Sequence, residues 1–330
     1  MVLGHTGDLA ANPLRLHDVP VPEPGPGEVL VEVSVCAICR TDLHVIEGEL
    51  DRPKLPLIPG HQAIGMIRQV GSGVTTRRPG ERVGIAWLQG TCGRCQYCRS
   101  GRENLCLAAR FTGYQVDGGY AEYAVAPAPF AYPIPSTFSD QEAAPLLCAG
   151  IIGYRALRLS RVQSGQRLGL YGFGASAHIA IQIARHWGCE VYVCSLKAEH
   201  RTLAWEMGAA WVGEASQAPP VPLHAAIIFA PAGELVIPAL RALDRGGTLA
   251  LAGIHMSLIP PIDYDRDLFG ERTISSVTAN TRQDGVDLLR EAAAIPIKPR
   301  TQCYPLIEAN HALQRLKAGA INGAGVLAVR

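Results

Sequence analysis

An excess of charge of either sign is missing from this chain: 30 Lys and Arg stand against 29 Asp and Glu, a formal net charge of +1. With no basic footprint, neither nucleic acid nor an anionic membrane surface is an expected partner. Long apolar runs are missing too, and the longest, around Ala143–Ile152, is too short to cross a bilayer. The opening residues, MVLGHTGDLAANPLRL, lack a basic stretch followed by an apolar one, so no secretory leader is expected and the expected compartment is the cytoplasm. Internal repeats and low-complexity tracts are absent as well. What is present suits a compact folded protein: 330 residues, 48% apolar and 18% charged, long enough for two cores.

Cysteine is plentiful, with ten in all. In a chain of this size without a leader, they read as metal ligands and buried thiols and not as a disulfide framework. Four of them, Cys92, Cys95, Cys98 and Cys106, fall in TCGRCQYCRSGRENLC with spacing C-x2-C-x2-C-x7-C. Four thiolates so close can complete a tetrahedral shell around one zinc and leave no position open, which is the pattern of a structural site. Iron–sulfur ligation of the bacterial ferredoxin kind wants C-x2-C-x2-C-x3-C-P. Here the last gap is seven residues and Leu107 follows Cys106, which favours zinc.

The fold class expected is α/β in two parts. Residues from about 15 to 150 are β-rich and punctuated by Pro and Gly. VLVEVSV (Val29–Val35) alternates, while GMIRQVGSGV and ERVGIAW run into or out of glycine turns. From Gly150 the texture changes to alternating strand and helix: Leu168–Tyr171, then Ile179, Ile183 and Trp187 at helical spacing, then AAIIFA, TLALAG and TISSVTA. Buried apolar strands alternating with helices indicate a doubly wound parallel sheet. The final fifty or so residues, with a helix over 309–318 and a strand GVLAV, do not continue it. The expected domains are 1–149, carrying a cysteine lobe at about 90–110, then 150–276, and a return to the first domain over 277–330.

Gly172-Phe173-Gly174-Ala175-Ser176-Ala177 fits G-x-G-x-x-G/A between a strand and a helix. Gly172 permits the tight turn, Gly174 lets backbone approach a pyrophosphate, and Ala177 lets helix pack on strand. The helix N-terminus supplies N–H groups for the phosphates. NAD binders usually carry an acid at the end of the second strand. In EVYVCSLKAEHR that place is Ser195, with Lys197 next but one, so NADP is favoured and NAD remains possible.

Three further stretches, CAICRTDLH (Cys36–His44), PGHQ (Pro59–Gln62) and PLLCAG (Pro145–Gly150), fall in fixed order with the lobe and the glycine turn. In that order the chain resembles the zinc-dependent medium-chain alcohol dehydrogenases, in particular their microbial and cinnamyl-alcohol-dehydrogenase-like branch. The resemblance implies a GroES-like catalytic domain, a Rossmann domain, an active site in the cleft between them, and two zinc ions per chain. It assigns Cys39, His61 and Cys148 to a catalytic zinc, a two-cysteine, one-histidine set that the general account of catalytic zinc gives for alcohol dehydrogenase. It makes Thr41 the hydroxyl that takes the alcohol's proton, the nicotinamide ribose the group that passes it on, His44 the group that delivers it to solvent, and Asp42 the partner of the free His61 nitrogen. Arg40 is implied to contact the cofactor pyrophosphate. Trp87, at the end of a strand and close to the lobe, is expected to wall the substrate pocket, with packing in the core as the alternative.

The implied reaction is reversible oxidation of a primary alcohol to an aldehyde with NAD(P), in a homodimer or homotetramer. A cinnamyl-type NADPH-dependent aldehyde reductase is the near alternative. A zinc-stabilised nucleotide-binding regulatory protein without turnover is the distant one. Three positions depart from the family pattern: Gln62 where a Glu is usual, Ala324 where several relatives carry an Arg, and Ile152 where a small hydroxyl residue is common.

Overall fold

A computed structural model describes residues 1–51, 53–214, 217–295 and 297–330. The chain forms two compact units, one of residues 1–148 and 280–330, the other of residues 149–279. Their limits fall one residue before and three residues after the boundaries read from the sequence.

The first unit is organised by one strand, Glu28–Ile38. Val29, Val31 and Val33 are fully buried on its inner face, and β-branched side chains suit such a pleated, packed surface. The strand pairs antiparallel with Ala63–Val70, Tyr123–Pro127 and Ala324–Ala328. Arg82–Ile85 and Ala131–Pro133 extend the sheet on one side. On the other, Thr301–Pro305 runs parallel to Ala324–Ala328. The result is a seven-stranded sheet in which the last part of the chain supplies two strands. Ala309, Ala312 and Leu313 are buried along one face of the helix Ala309–Lys317, as the i, i+3, i+4 pattern requires.

The central strand ends at Ile38, and Cys39 begins the helix Arg40–Glu47. The neighbouring strand starts at Ala63, two residues after His61. Adjacent strands therefore deliver Cys39 and His61 to the same end of the sheet.

The second unit is a six-stranded, all-parallel sheet. In chain order its strands are Arg167–Tyr171, Glu190–Cys194, Trp211–Gly213, Leu223–Ile228, Leu243–Leu251 and Thr273–Ser276. In space they run 3-2-1-4-5-6, the strand order of the doubly wound dinucleotide-binding fold. The connecting helices include Ala175–His186, Ala198–Glu206 and Val236–Ala242. The helix read from Ile179, Ile183 and Trp187 is present, with both isoleucines fully buried. The three-residue strand Trp211–Gly213 was not foreseen; it is too short to carry a period.

Candidate metal centre and nucleotide turn

Cys39 is the N-cap of the helix Arg40–Glu47. Its sulfur accepts from the Thr41 N–H at 3.3 Å, and its own N–H donates to Asp42 Oδ2 at 2.8 Å. Together they make a capping box in which a thiol stands where serine or threonine is usual. Asp42 is 1% exposed, and its other oxygen receives Nδ1 of His61 at 3.0 Å. One carboxylate thus closes the helix start and fixes the histidine ring, leaving Nε2 turned toward Cys39 Sγ at 3.1 Å.

Cys148 follows the short helical turn Ala144–Leu147, where Leu146 and Leu147 are fully buried. Ligand atoms of Cys39, His61 and Cys148 all lie within 4.8 Å of one another. Two thiols and an imidazole are a donor set that suits zinc, and three protein ligands leave one position open.

The electrostatics agree with a cation site. Burial opposes charge on His61, but the Cys39 sulfur and the Asp42 carboxylate outweigh it and push the imidazole up to about 10. Burial raises the Asp42 carboxyl, against the pull of His61. Burial also works against the Cys39 thiolate, yet hydrogen bonding from Cys148 and the charge of His61 hold its pKa well below the ordinary thiol value. The group stores negative charge that a metal would neutralise in place of protons.

Thr41 and His44, both 8% exposed, stand three apart on the same helix. His44 Nδ1 bonds the carboxylate of Glu49, whose side chain is 46% exposed. Glu49 was missed in the sequence, since it lies beyond the Gly48 cap and belongs to no motif. Arg40, the first helical residue, is exposed.

Trp87 is 6% exposed and meets the His61 ring edge-on, with centroids 4.9 Å apart. Phe111 and Tyr114 stack behind it at 5.0 and 5.9 Å. These two were also missed, because the aromatic group is assembled from separate loops.

The cysteine lobe tests directly as a zinc site. Tetrahedral zinc with thiolate bonds near 2.3 Å needs sulfur–sulfur separations of about 3.8 Å. Cys95–Cys98, Cys92–Cys106 and Cys92–Cys98 stand at 3.5, 3.6 and 3.9 Å. Backbone N–H groups of Arg94 and Cys95 hold the Cys92 thiol down to about 6. The lobe is anchored by Glu103, which receives Arg282 through both side-chain oxygens and accepts its backbone N–H at 2.8 Å. The Arg282 guanidinium also lies 4.7 Å over the Phe130 ring.

In the second unit the glycine turn has the geometry its sequence requires. Gly172 sits at φ +86°, and a Cβ there would lie 3.1 Å from Ala230. Gly174 caps the helix Ala175–His186 in extended conformation and has open space where a side chain would be. Ala177 is fully buried against the sheet.

Ser195 follows the second strand, 4% exposed, with its N–H bonded to Gly213 O at 3.0 Å. Arg201 Nη1 donates to the carbonyls of Ser195 and Leu196 at 2.9 and 2.8 Å, and its Nη2 stands 3.6 Å from Glu214. Lys197, at the cap of the next helix, is exposed.

A doubly wound nucleotide unit, together with a β-rich unit that holds a two-cysteine, one-histidine group and a four-cysteine lobe, defines a class, and comparison bears it out. Residues 25–136 match the family described as "Alcohol dehydrogenase GroES-like domain", and residues 177–294 match "Zinc-binding dehydrogenase". The chain belongs to the zinc-dependent medium-chain alcohol dehydrogenase family. It is 52% identical over 328 residues to "Probable alcohol dehydrogenase AdhA" of Mycobacterium tuberculosis (strain CDC 1551 / Oshkosh), covering 98% of this chain and 95% of the relative. Among solved structures it resembles a cobalt- and zinc-bound thermostable alcohol dehydrogenase from Pyrobaculum aerophilum, with TM-score 0.90, 27% identity, and coverage of 99% and 98%. It also resembles a cinnamyl alcohol dehydrogenase from Sorghum bicolor, with TM-score 0.90, 25% identity, and coverage of 98% and 96%.

Proposed function

We propose that this protein reversibly oxidises primary alcohols to aldehydes with a nicotinamide cofactor. Zinc would be held by Cys39, His61 and Cys148, and a second zinc by Cys92, Cys95, Cys98 and Cys106. The observation that carries the reading is the convergence of the three ligand atoms within 4.8 Å, with Asp42 fixing the histidine from behind. When bound, zinc favours loss of the alcohol proton and the nicotinamide takes the hydride.

The residues do the rest. Cys39, Cys148 and His61 hold the metal with one position free for the alcohol oxygen. The Thr41 hydroxyl would take the alcohol's proton while giving up its own by way of the nicotinamide ribose, and His44, bonded to half-exposed Glu49, would pass it to solvent. Trp87, backed by Phe111 and Tyr114, offers a rigid aromatic wall to the alcohol's carbon chain. The unit of residues 149–279 would hold the cofactor and the other unit the chemistry. Gly172, Gly174 and Ala177 form the phosphate turn, and Arg40 is assigned to the pyrophosphate.

NADP is the cofactor favoured, because no carboxylate stands between the second strand and Glu199 to repel a 2′-phosphate. The hydroxyl of Ser195 and the ammonium of Lys197 are the groups proposed to receive that phosphate, beside Arg201, which bonds the carbonyls of Ser195 and Leu196. The same residues favour the reductase direction of the cinnamyl-type alternative.

A homodimer or homotetramer is supported by the apolar residues Leu258, Ile259, Ile262, Tyr264 and Phe269, all exposed. They lie in the segment leading to the edge strand Thr273–Ser276. Light scattering of the purified protein tests the assembly, and a monomer would refute it. The cytoplasm is the proposed location, in keeping with ten thiols that are free in the structure. None of the described helices is long and apolar enough to cross a membrane.

The central experiment is absorbance at 340 nm with a panel of alcohols and aldehydes and both cofactors, alongside zinc analysis. Two zinc ions per chain with no cofactor-linked turnover would refute the enzyme reading and leave the regulatory one.

A further inference from the structure

The residue before the ligand His61 is held by something outside every motif. Gly60 has φ +94°, and a Cβ there would lie 2.6 Å from Cε1 of Tyr120 and 2.9 Å from Cys36 Sγ. Tyr120 is fully buried, among the largest side chains in the molecule with no exposure. Its ring therefore occupies the space that a side chain at position 60 would take, flush against the turn that presents the histidine.

The backbone around Tyr120 grips the same turn. The N–H groups of Gly118, Gly119 and Tyr120 donate to the carbonyls of Ile58, Gly60 and Pro59 at 2.7, 2.8 and 3.0 Å. Three consecutive donors thus close on three consecutive acceptors ending one residue short of His61. Backbone bonds of this kind fix the path of the chain but leave the turn free to rock about it. A rigid ring with two torsions, packed on a glycine with no side chain between, removes that freedom.

The Tyr120 hydroxyl is buried, and burial first, then the Asp42 carboxylate, hold the phenol well above its ordinary value. The strongest charge acting on it comes from Asp42, then Cys36 and Cys39.

We propose that Tyr120 is a positioning residue of the Cys39–His61–Cys148 site, a wedge on Gly60 that sets the His61 loop and so the hold of this site on its metal. The inference rests on the reading of that site as a metal centre.

The test compares Tyr120→Leu, which shortens the wedge, with Tyr120→Phe, which keeps it. Each protein is loaded with cobalt, and its release to a chelator is timed at both sites from the visible absorption of the two metal centres. Tyr120→Leu is expected to release metal from the Cys39–His61–Cys148 site about tenfold faster, as loss of a supporting residue does. It should also shift that site's absorption bands while leaving the lobe metal unchanged. Tyr120→Phe is expected to release metal within about twofold of the unsubstituted protein, on the same scale.

Equal release from Tyr120→Leu and the unsubstituted protein overturns the proposal. So does Tyr120→Phe releasing as fast as Tyr120→Leu. If Tyr120→Leu fails to fold, hydrogen exchange on the unsubstituted protein decides. The amides of Gly118, Gly119 and Tyr120 should exchange more slowly once the Cys39–His61–Cys148 site is loaded, and unchanged exchange overturns the wedge. An unsubstituted protein that binds metal only at the lobe would instead refute the metal-centre reading, so the two failures are distinct.

Discussion

At the scale of single residues the site is economical in its use of side chains. Asp42 serves the helix start and the histidine ring together, and Cys39 is both cap and ligand candidate. Replacing Cys39 by Ser keeps the cap, because a hydroxyl accepts the Thr41 N–H as the sulfur does, but it weakens the soft-metal site. Cys39→Ser is expected to lower kcat at least ~100-fold while the circular dichroism spectrum and the lobe zinc stay as they are. Retained turnover would show that the ligand set is misassigned. In the second unit, Ser195→Asp places a carboxylate where the 2′-phosphate is expected. The ratio of kcat/KM for NADP over NAD should fall at least tenfold, a change of about 1.4 kcal/mol, and an unchanged ratio would refute the cofactor reading.

At the scale of elements, the sequence made legible what local chemistry encodes. The strand Glu28–Ile38, the helix after Gly174 and the four-cysteine lobe each carry a period or a spacing. The ligands Cys39, His61 and Cys148 have none in common, and only their order along the chain, set against a known family, joined them. Glu49, Phe111, Tyr114 and Tyr120 escaped because their roles come from tertiary packing: Tyr120 sits in DGGYAEY, which reads as a loop.

The lobe illustrates the same limit, since nothing near Glu103 announces Arg282. Burial alone would raise the Glu103 carboxyl, but the hydrogen bonds from Arg282 outweigh it and hold the carboxyl below its ordinary value. The pair therefore contributes stability above the unfolded carboxyl value of about 4.3 and loses it as pH falls through the lower folded value. Glu103→Gln should cost about 1 kcal/mol at pH 7, discounted because Arg282 is partly exposed. The gap from the unsubstituted protein should begin to close as pH falls below about 4.3 and disappear below the lower folded value, as followed by urea denaturation. A gap that does not narrow as the protein is acidified below that range would show that the carboxylate charge is not what anchors the lobe.

At the scale of the whole molecule, the two proposed metal sites differ in donor set and so imply two grades of metal retention. The four-cysteine set is closed, and the set of Cys39, His61 and Cys148 keeps a position open. Metal analysis of Cys98→Ser should find one zinc per chain in place of two. Its thermal midpoint should fall by several degrees, because a structural zinc contributes directly to folding. An unchanged midpoint would remove the structural role from the lobe. The first unit is also discontinuous, since residues 280–330 return to it after the second unit is complete. During synthesis the edge of Glu28–Ile38 that will receive Ala324–Ala328 stays open until the second unit has been made and that strand has followed it out of the ribosome. An open strand edge is a template for wrong partners. The protein's most vulnerable moment is therefore its own manufacture, and ribosome stalling late in the message would yield a fragment with a finished nucleotide unit and an unfinished, aggregation-prone sheet.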